Sequence, residues 1–163
     1  MRTAEGFEPW YAAEFPRLVA SLRIATGDAG LAEEAAAEAC ARAYAKWGRV
    51  RRMESPSGWV YVVALNEVRS ALRRRRLERN HAGRLRAGHA PPPADPDDAL
   101  WRAVRALPER MRLAVALRYV ADLPEAEIAT AMGVARGTVA ATLHSARRQL
   151  ARELAVLTIK ETP

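Results

Sequence analysis

Arginines crowd into one short segment of the chain, and they are its clearest chemical signal. Eight of them fall within eighteen residues, opposed only by Glu78: Arg69, Arg73, Arg74, Arg75, Arg76, Arg79, Arg84 and Arg86. Four consecutive arginines cover the whole circumference of a helix, so they cannot all be buried or paired. Guanidinium groups bind phosphates well, and each contact with duplex DNA releases counterions. The segment therefore predicts a phosphate-binding surface, with a solvated helix end as the alternative.

The distribution of charge agrees with a polyanionic partner. The 163 residues carry a formal net charge of +7. Residues 1–48 contain five basic and seven acidic residues. Residues 49–88 contain eleven basic and three acidic residues, and residues 89–163 contain ten basic and nine acidic residues. Because the excess belongs to one segment, it favours a dedicated nucleic-acid surface over a generally basic protein.

A second set of residues, between positions 124 and 150, matches a helix-turn-helix. Ile128 and Ala129 supply the apolar side of a short first helix, and Gly133 permits the tight turn that follows. Val139 and Leu143 begin a buried stripe on a second helix, whose exposed start would enter the major groove. A helical hairpin with no role in nucleic-acid binding is the alternative.

Aromatic residues precede the arginine segment. Trp59 and Tyr61 are followed by Asn66 and Arg69, and aromatics beside a basic run can stack on unpaired bases. The helical spacing of Trp59 and Val63 nevertheless favours a core position for this tryptophan over base stacking.

Residues for acid–base, nucleophilic or metal chemistry form no recognisable pattern. No two of His81, His89 and His144 have ligand spacing on one helix face, and Cys40 is the only cysteine. Glycine-rich phosphate loops and nucleophile elbows are absent from the sequence as well. We expect neither an enzyme nor a bound cofactor.

The elements that position these residues are predicted to be helices, so the fold class is all-α. A proline-rich stretch over residues 88–96 cannot continue a helix and is predicted to be a semi-rigid linker. It separates a first small module, over residues 1–87, from a second over 97–157 that contains the helix-turn-helix.

Helices are predicted in both modules from apolar periodicity and end signals. They cover residues 8–26, 29 to about 47, and 57 to at least 77 in the first module, then 96–107, 108–120, 124–132 and 136–154 in the second. Pro16 is expected to mark a kink or boundary, Asp28 to cap the second helix and Gly48 to end it.

The sequence carries no signal for entry into a membrane. The first residues lack the apolar core of a signal peptide, and the longest apolar run, residues 59–65, is too short to span a bilayer. A lone cysteine provides no disulfide framework, and Cys40 is expected to be a small buried residue. We expect a cytoplasmic protein without membrane insertion.

Taken together, these residues resemble the extracytoplasmic-function sigma factors, the small two-module specificity subunits of bacterial RNA polymerase in the sigma-70 family. The resemblance covers about 7–79 and 97–155. Its anchors are Asp28, Ala32-Glu33-Glu34, Glu38, Trp59, Ala64-Leu65-Asn66, the arginine run, Leu107-Pro108-Glu109-Arg110, Ile128-Ala129, Met132-Gly133, Gly137-Thr138-Val139 and Ala146-Arg147. Each anchor is weak alone, and their order and spacing carry the resemblance.

The resemblance implies that the first module is a sigma region 2 and the second a sigma region 4. Core RNA polymerase would bind the second helix through Glu33, Glu34, Glu38 and Arg42. The promoter −10 element and its phosphates would meet loop 49–58 and the helix after it, through Arg49, Arg51, Arg52, Asn66, Arg69, Arg73, Arg74, Arg75 and Arg76. The −35 element would meet the last helix, through Arg136, Gly137, Thr138, Ala141, Thr142, Ser145 and Arg148. An anti-sigma protein, common in this class, would insert between the two modules.

The chain departs from the family pattern at two places. Ala37 and Cys40 stand where the family usually has a glutamine and a bulky apolar residue, which would weaken or reshape polymerase docking. Residues 140–142 and Ser145 stand where it tends to have Lys, Arg and Ser. Bidentate arginine contacts, each worth about 1–3 kcal/mol of discrimination, are missing there. We therefore expect the arginine-rich helix to carry more of the DNA affinity than the recognition helix.

Two other functions fit part of the pattern. A free-standing helix-turn-helix regulator would bind duplex DNA without polymerase, and a basic amphipathic helix could lie on an anionic membrane. The acidic residues of the second helix argue against the first, and four successive arginines blur the polar face needed for the second. The expected function is promoter-specific transcription initiation by a sigma subunit.

Overall fold

The computed structural model describes residues 5–81 and 99–160, with side chains as far as residue 156. Within those ranges every regular element is an α-helix, as the sequence predicts. The helices are α1 (Phe7–Thr26), α2 (Ala29–Ala45), α3 (Trp47–Val50), α4 (Pro56–His81), α5 (Ala99–Ala106), α6 (Glu109–Tyr119), α7 (Glu125–Met132) and α8 (Arg136–Lys160). The predicted linker over 88–96 lies outside the described residues.

α1 is one unbroken helix. Pro16 lies inside it and is exposed, so the missing amide removes a single hydrogen bond on the solvent side. The helix boundary that the sequence suggested at this proline is therefore absent.

The junction between α1 and α2 is built by a glycine and a capping aspartate. Gly27 has a left-handed φ of 69°, and its N–H donates to the Arg23 carbonyl at 2.8 Å. Asp28 follows as the N-cap of α2, and its Oδ1 accepts from the Leu31 amide at 2.9 Å. The capping role predicted for Asp28 is confirmed.

The end of α2 differs from the prediction. Gly48 does not stop the helix, because α2 already ends at Ala45 and Gly48 lies inside the short helix α3. The chain leaves helical geometry at Lys46, where φ is −115°. The break at this position lets Trp47 and Val50 turn into the core, where they are 4% and 0% exposed.

α1, α2 and α4 pack around the core of the first module. Leu18 and Leu22 of α1 belong to the same buried cluster as Val60 and Tyr61 of α4, and all four side chains are essentially inaccessible to solvent. The buried face of α2 consists of alanines between positions 32 and 43 with one leucine and one cysteine. Small side chains on that face let the neighbouring helices approach closely, because no bulky group separates the backbones.

The second module is organised by the buried stripe of α8. Val139, Leu143 and Ala146 are completely buried, as the sequence predicts. Leu150 and Leu154 continue the stripe but are only half-buried. The packing of α8 on the module is therefore tightest over its first three turns.

Two residues set helix ends in this module. Gly133 closes α7 with a left-handed φ of 68°, which confirms its predicted role in the turn of the helix-turn-helix. Pro108, which the sequence predicts as the first residue of the helix over 108–120, instead occupies the N-cap position of α6.

The two modules are in direct contact. α1 packs against α6 and α4 packs against α7, and the buried apolar residues of both modules form one continuous cluster. Over residues 5–81 and 99–160, no helix has both the length and the apolar character needed to cross a membrane.

Candidate nucleic-acid interface

Two hydroxyl groups fix the loop that leads into α4. Ser55 Oγ accepts from the Gly58 amide at 2.8 Å and so caps the helix. Ser57 Oγ donates to Oε2 of Glu14 at 2.6 Å. Because Glu14 is only 7% exposed, a buried carboxylate of α1 holds the first turn of α4 in place.

The predicted loop over 49–58 is shorter in the structure, because Arg49 belongs to α3 and residues 56–58 belong to α4. The end of α3 and the loop over 51–55 present basic side chains to solvent. Arg49, Arg51 and Arg52 are all exposed, whereas Trp59, in the first turn of α4, is half-buried against the core cluster. This placement agrees with the interpretation of Trp59 as a packing residue. The three arginines are available to a phosphate backbone lying across the loop.

Further along α4, the predicted base-contact residues form a short hydrogen-bonded chain. Arg69 Nη1 donates to Oδ1 of Asn66 at 3.1 Å, and both side chains are exposed. Arg69 Nη2 also donates to the backbone carbonyl of Ala131 in α7, at 3.2 Å. One predicted DNA ligand therefore already has a partner in the other module.

The arginine run divides into exposed and engaged members. Arg74 and Arg76 are exposed, and Arg73 donates to Ser70 Oγ at 3.1 Å. Arg75 instead donates to Oδ2 of Asp28 at 2.7 Å, with 37% of its side chain and 11% of the aspartate side chain exposed. The same aspartate thus caps α2 and binds an arginine of α4.

The start of α8 presents a nearly continuous exposed face. Six of the seven predicted −35 residues are exposed: Arg136, Gly137, Thr138, Ala141, Ser145 and Arg148. The seventh, Thr142, is half-buried, and its hydroxyl donates to the Thr138 carbonyl at 2.7 Å. Because that bond occupies the hydroxyl proton, this residue offers a base its methyl group and a hydroxyl oxygen that can accept but not donate.

α2 carries the acidic residues predicted to bind polymerase. Glu33, Glu34 and Glu38 are exposed. Arg42 lies between two carboxylates, with its Nε 2.8 Å from Glu38 and its Nη2 2.7 Å from Glu67 of α4. The Glu38 pair lies within α2, whereas the Glu67 pair joins α2 to α4. Arg42 therefore has two carboxylate partners, and one of them is a residue predicted to bind polymerase.

A groove of about 510 Å³ runs between α2 and α4 beside these ion pairs. Its floor is apolar and its rim is charged, and it is lined by Leu31, Glu34, Ala35, Ala37, Glu38, Ala41, Glu67, Ala71 and Arg74. The small side chains of Ala37 and Ala41 leave this space open. The departure from the family pattern at Ala37 therefore changes the shape of the surface predicted to meet polymerase.

Burial disfavours the ionised forms of two side chains in the core, Cys40 and Tyr61. Burial raises the pKa of the Cys40 thiol to about 11, with a smaller contribution from the charge of Glu14. Burial likewise raises the pKa of Tyr61. Among the described residues, no group of three or more His, Cys, Asp or Glu side chains is arranged to hold a metal ion.

Comparison with known proteins gives two family matches in the order that the sequence predicts. Residues 10–78 match sigma-70 region 2, and residues 97–150 match sigma-70 region 4. The chain belongs to the sigma-70 family, in its extracytoplasmic-function class. As a sigma factor, it binds core RNA polymerase and directs promoter-specific transcription initiation. Sigma factors are in general regulatory subunits without a catalytic role.

Individual relatives agree with this family. The RNA polymerase sigma-E factor of Streptomyces coelicolor is 27% identical over 157 residues, covering 91% of this chain and 85% of that protein. The sigma factor RpoE of Bartonella quintana, solved in complex with the anti-sigma factor NepR, superposes with a TM-score of 0.76 at 22% identity. That match covers 93% of this chain and 98% of RpoE. At this level of identity the likeness concerns the fold alone.

Several residues that organise this sigma factor were not identified from the sequence. Glu14, Glu67 and Arg112 each act across a distance of many residues, by binding Ser57, Arg42 and backbone carbonyls respectively. The only available signal was the presence of a charged residue within an otherwise apolar helical stripe. That signal identifies a residue that needs a partner but does not identify the partner.

Proposed function

We propose that this sigma factor contacts promoter DNA with both modules and that α4, with the loop before it, supplies most of the DNA affinity. The observation that carries this proposal is the contrast between two exposed faces. The first module exposes arginines on the loop and along α4, while the centre of the exposed face of α8 holds alanine, threonine and serine.

The first module is assigned to the −10 element. Unstacking a base costs a few kcal/mol, and a basic surface that holds the released strand offsets part of that cost. In this assignment Arg49 at the end of α3 and Arg51 and Arg52 in the following loop hold the strand, and Asn66 and Arg69 contact bases. The exposed members of the arginine run, together with Arg75 when it leaves Asp28, bind the phosphates that follow.

The second module is assigned to the −35 element. Arg136 and Arg148 lie at the two ends of the exposed face of α8 and bind phosphates. Between them, Ala141 and the methyl of Thr142 can contact thymine methyl groups, which are apolar features of the major groove. Recognition by such contacts discriminates less between base pairs than bidentate arginine contacts would.

The polymerase-binding surface is assigned to the exposed face of α2. Glu33 and Glu34 are exposed, while Glu38 is held in position by Arg42. The adjacent groove between α2 and α4 offers apolar contact area, and Ala37 makes it more open than the family pattern implies. A partner helix with basic residues flanking an apolar side chain fits this combination of charge and shape.

The remaining proposals concern organisation and partners. We propose module boundaries at residues 1–87 and 97–157 with a linker at 88–96, and action in the cytoplasm, where core polymerase transcribes.

An anti-sigma protein is a proposed partner, since the RpoE relative was solved with NepR. Insertion of such a partner between the modules does not fit the present arrangement, because α4 and α7 are in contact. We therefore propose binding across the outer surface of both modules.

Run-off transcription with core polymerase on a promoter library tests the assignments. Glutamine substitutions at Arg74 and Arg76 are expected to reduce transcription from all promoters, whereas Ala141→Arg is expected to change the preferred −35 sequence. Failure to co-elute with core polymerase in gel filtration would contradict the polymerase surface. Tight sequence-specific duplex binding by the free protein, without any core-dependent transcription, would favour a free-standing regulator instead.

A further inference from the structure

Glu14 is a buried carboxylate that has no assigned part in promoter binding. Its Oε2 accepts from Ser57 Oγ at 2.6 Å, whereas its Oε1 is buried and has no hydrogen-bond partner among the described residues. Burial raises the pKa of Cys40 in α2 and of Tyr61 in α4, and the charge of Glu14 contributes to both increases. The carboxylate of α1 therefore lies in the core, close to side chains of both neighbouring helices.

A carboxylate with these surroundings is unfavourable for the stability of the fold. It loses its hydration on burial, and one hydroxyl donor replaces only part of the hydrogen bonding that two oxygens have in water. An apolar side chain of similar volume would avoid that loss. The free energy of folding therefore does not favour a glutamate at position 14, whereas a local task can.

The hydrogen bond from Ser57 ties α1 to the end of the loop over 51–55 that leads into α4. The Ser55 hydroxyl caps the first turn of α4. At the other side of the loop, the Met53 amide donates to the Val50 carbonyl of α3 at 3.0 Å. A single residue separates these two anchored positions, so the placement of the first turn of α4 relative to α3 sets the conformation of the loop.

α1 also holds the end of the loop that leaves α3. Trp47, the first residue of α3, is buried, and the centroid of its ring lies 5.0 Å from that of Trp10 in α1. Trp10 and Glu14 are one turn apart, about 6 Å along the helix axis. Adjacent turns of one helix therefore fix the two ends of the loop, one through ring packing and the other through a hydrogen bond.

We propose that Glu14 is a positioning residue for capture of the −10 strand. Through Ser57 it fixes the conformation in which the loop presents Arg51 and Arg52. The proposal rests on the proposed function in one respect, the assignment of these arginines to the strand. A loop held in one conformation loses less conformational entropy on binding than a mobile loop, so Glu14 raises affinity without touching DNA. It favours strand binding at the expense of stability, which a residue with only a structural role does not do.

Three measurements on the full chain test this inference. Urea denaturation gives the global stability. The rate of trypsin cleavage after Arg51 and Arg52, followed by mass spectrometry, reports local opening of the loop, because a bond must leave its folded conformation to be cleaved. Fluorescence anisotropy of a short fluorescein-labelled single-stranded oligonucleotide of mixed sequence reports strand binding.

Glu14→Leu is the decisive variant. Its urea midpoint is expected to equal or exceed that of the native protein. Loop cleavage should nevertheless accelerate and oligonucleotide affinity should fall, each by about tenfold, the effect of losing one hydrogen bond to a charged group. Loss of a negative charge would by itself strengthen the binding of an anion, so weaker binding cannot be an effect of charge.

Two further substitutions in α1 complete the comparison. Glu14→Gln keeps an oxygen that can accept from Ser57, so its loop cleavage and oligonucleotide affinity should lie closer to the native values than those of Glu14→Leu. Glu8→Leu removes a carboxylate from an exposed position of the same helix and is the matched control. It should leave loop cleavage unchanged and should not weaken oligonucleotide binding.

Ser57→Ala removes the same hydrogen bond from the side of α4, at a half-buried position, and decides the matter even if Glu14→Leu fails to fold. It should accelerate loop cleavage and weaken oligonucleotide binding, and it should add little to either effect in the Glu14→Leu background. Native cleavage and native binding in Ser57→Ala would overturn the proposal. Parallel losses of stability and affinity in Glu14→Leu would overturn it too, since they would indicate a structural role only.

Arg51→Gln and Arg52→Gln separate failure of this inference from failure of the proposed function. If they weaken oligonucleotide binding while Glu14→Leu and Ser57→Ala behave as the native protein, the strand assignment stands and the positioning role is overturned. If Glu14→Leu accelerates loop cleavage but neither arginine substitution weakens binding, the loop is not a strand-binding surface. That result would refute the assignment of the loop to the −10 strand, and the role of Glu14 in strand capture with it.

Discussion

Asp28 contacts two helices at once, so the effect of its substitution on stability can be predicted as the sum of two separate contributions. One carboxylate oxygen caps α2 through the Leu31 amide at 2.9 Å. The other accepts from Arg75 of α4 at 2.7 Å. Asp28→Ala removes both contacts, whereas Asp28→Asn keeps an oxygen for the cap and removes the charge that attracts Arg75.

The magnitude follows from the two contacts taken in turn. Loss of an N-cap costs about 1 kcal/mol of stability. The ion pair contributes at most about 1 kcal/mol, since 37% of the Arg75 side chain is exposed and water screens it. We therefore expect Asp28→Ala to lower the free energy of unfolding by about 2 kcal/mol, or the Tm by roughly 4–8 °C for a chain of this size. Asp28→Asn should lose about half as much.

Urea denaturation followed by tryptophan fluorescence measures these differences, with Arg75→Gln as the partner variant. In the double variant Asp28→Asn with Arg75→Gln, the second substitution should add little, because the pair is already broken. Glu33→Gln, at an exposed position on the same helix, is the control and should leave stability within about 0.5 kcal/mol of the native value. Equal losses for Asp28→Asn and Asp28→Ala would refute a separate capping contribution. Full additivity of Asp28→Asn and Arg75→Gln would refute the ion pair.

Gly133→Ala should lower the free energy of unfolding, measured by urea denaturation, by about 1–2 kcal/mol, because φ is +68° while no atom lies within 4 Å of the new Cβ. Gly48→Ala, in equally open space within a helix, should leave that free energy unchanged or raise it. Equal losses in the two variants would contradict the conformational explanation. The Cys40 pKa is raised from 9.0 to about 11, so the folded protein holds this proton more tightly than the unfolded chain, and stability that is complete below pH 9.0 falls as the pH rises towards 11. In Cys40→Ala, the urea midpoint should fall less steeply as the pH rises from 9 to 11, and Tyr61 should account for the remaining decline. A pH profile identical to that of the native protein would show that burial of the Cys40 thiol does not cause the loss of stability. Arg74→Gln and Arg76→Gln should each reduce the salt dependence of single-strand binding by about 0.7 in the slope of log K against log salt; Arg23→Gln in α1 should not, and an unchanged slope in the first two would exclude them as phosphate ligands.

The features that the sequence predicts well are those with a local physical cause. The cap at Asp28, the turn at Gly133 and the buried stripe from Val139 depend on residues within a few positions of one another, so periodicity and residue type identify them. Gly48 is not the helix end that its residue type predicts, because α2 already ends at Ala45 and the chain then turns so that Trp47 is buried. A glycine signal describes what the backbone permits, and tertiary packing decides where the chain uses it.

In the candidate site, too, the sequence predicts the local features but not the contacts between distant residues. The arginine run predicts a basic surface, but no local pattern distinguishes Arg74, which is exposed, from Arg75, which binds Asp28. Neighbouring residues on a helix point in directions about 100° apart, so availability depends on what each direction meets. The contact of Arg69 with Ala131 depends on how two modules pack, which no local pattern encodes.

The ion pairs between α2 and α4 bear on how this sigma factor works. Arg75 with Asp28 and Arg42 with Glu67 join the two helices at separate points along their length. One helix carries the proposed polymerase surface and the other the proposed DNA surface. Two such links resist sliding or rotation of one helix against the other, because either motion would separate at least one pair of opposite charges. Where α2 binds polymerase and α4 binds the strand, as proposed above, these links help to keep the two surfaces in one orientation, each contributing at most about 1 kcal/mol because the pairs are partly exposed.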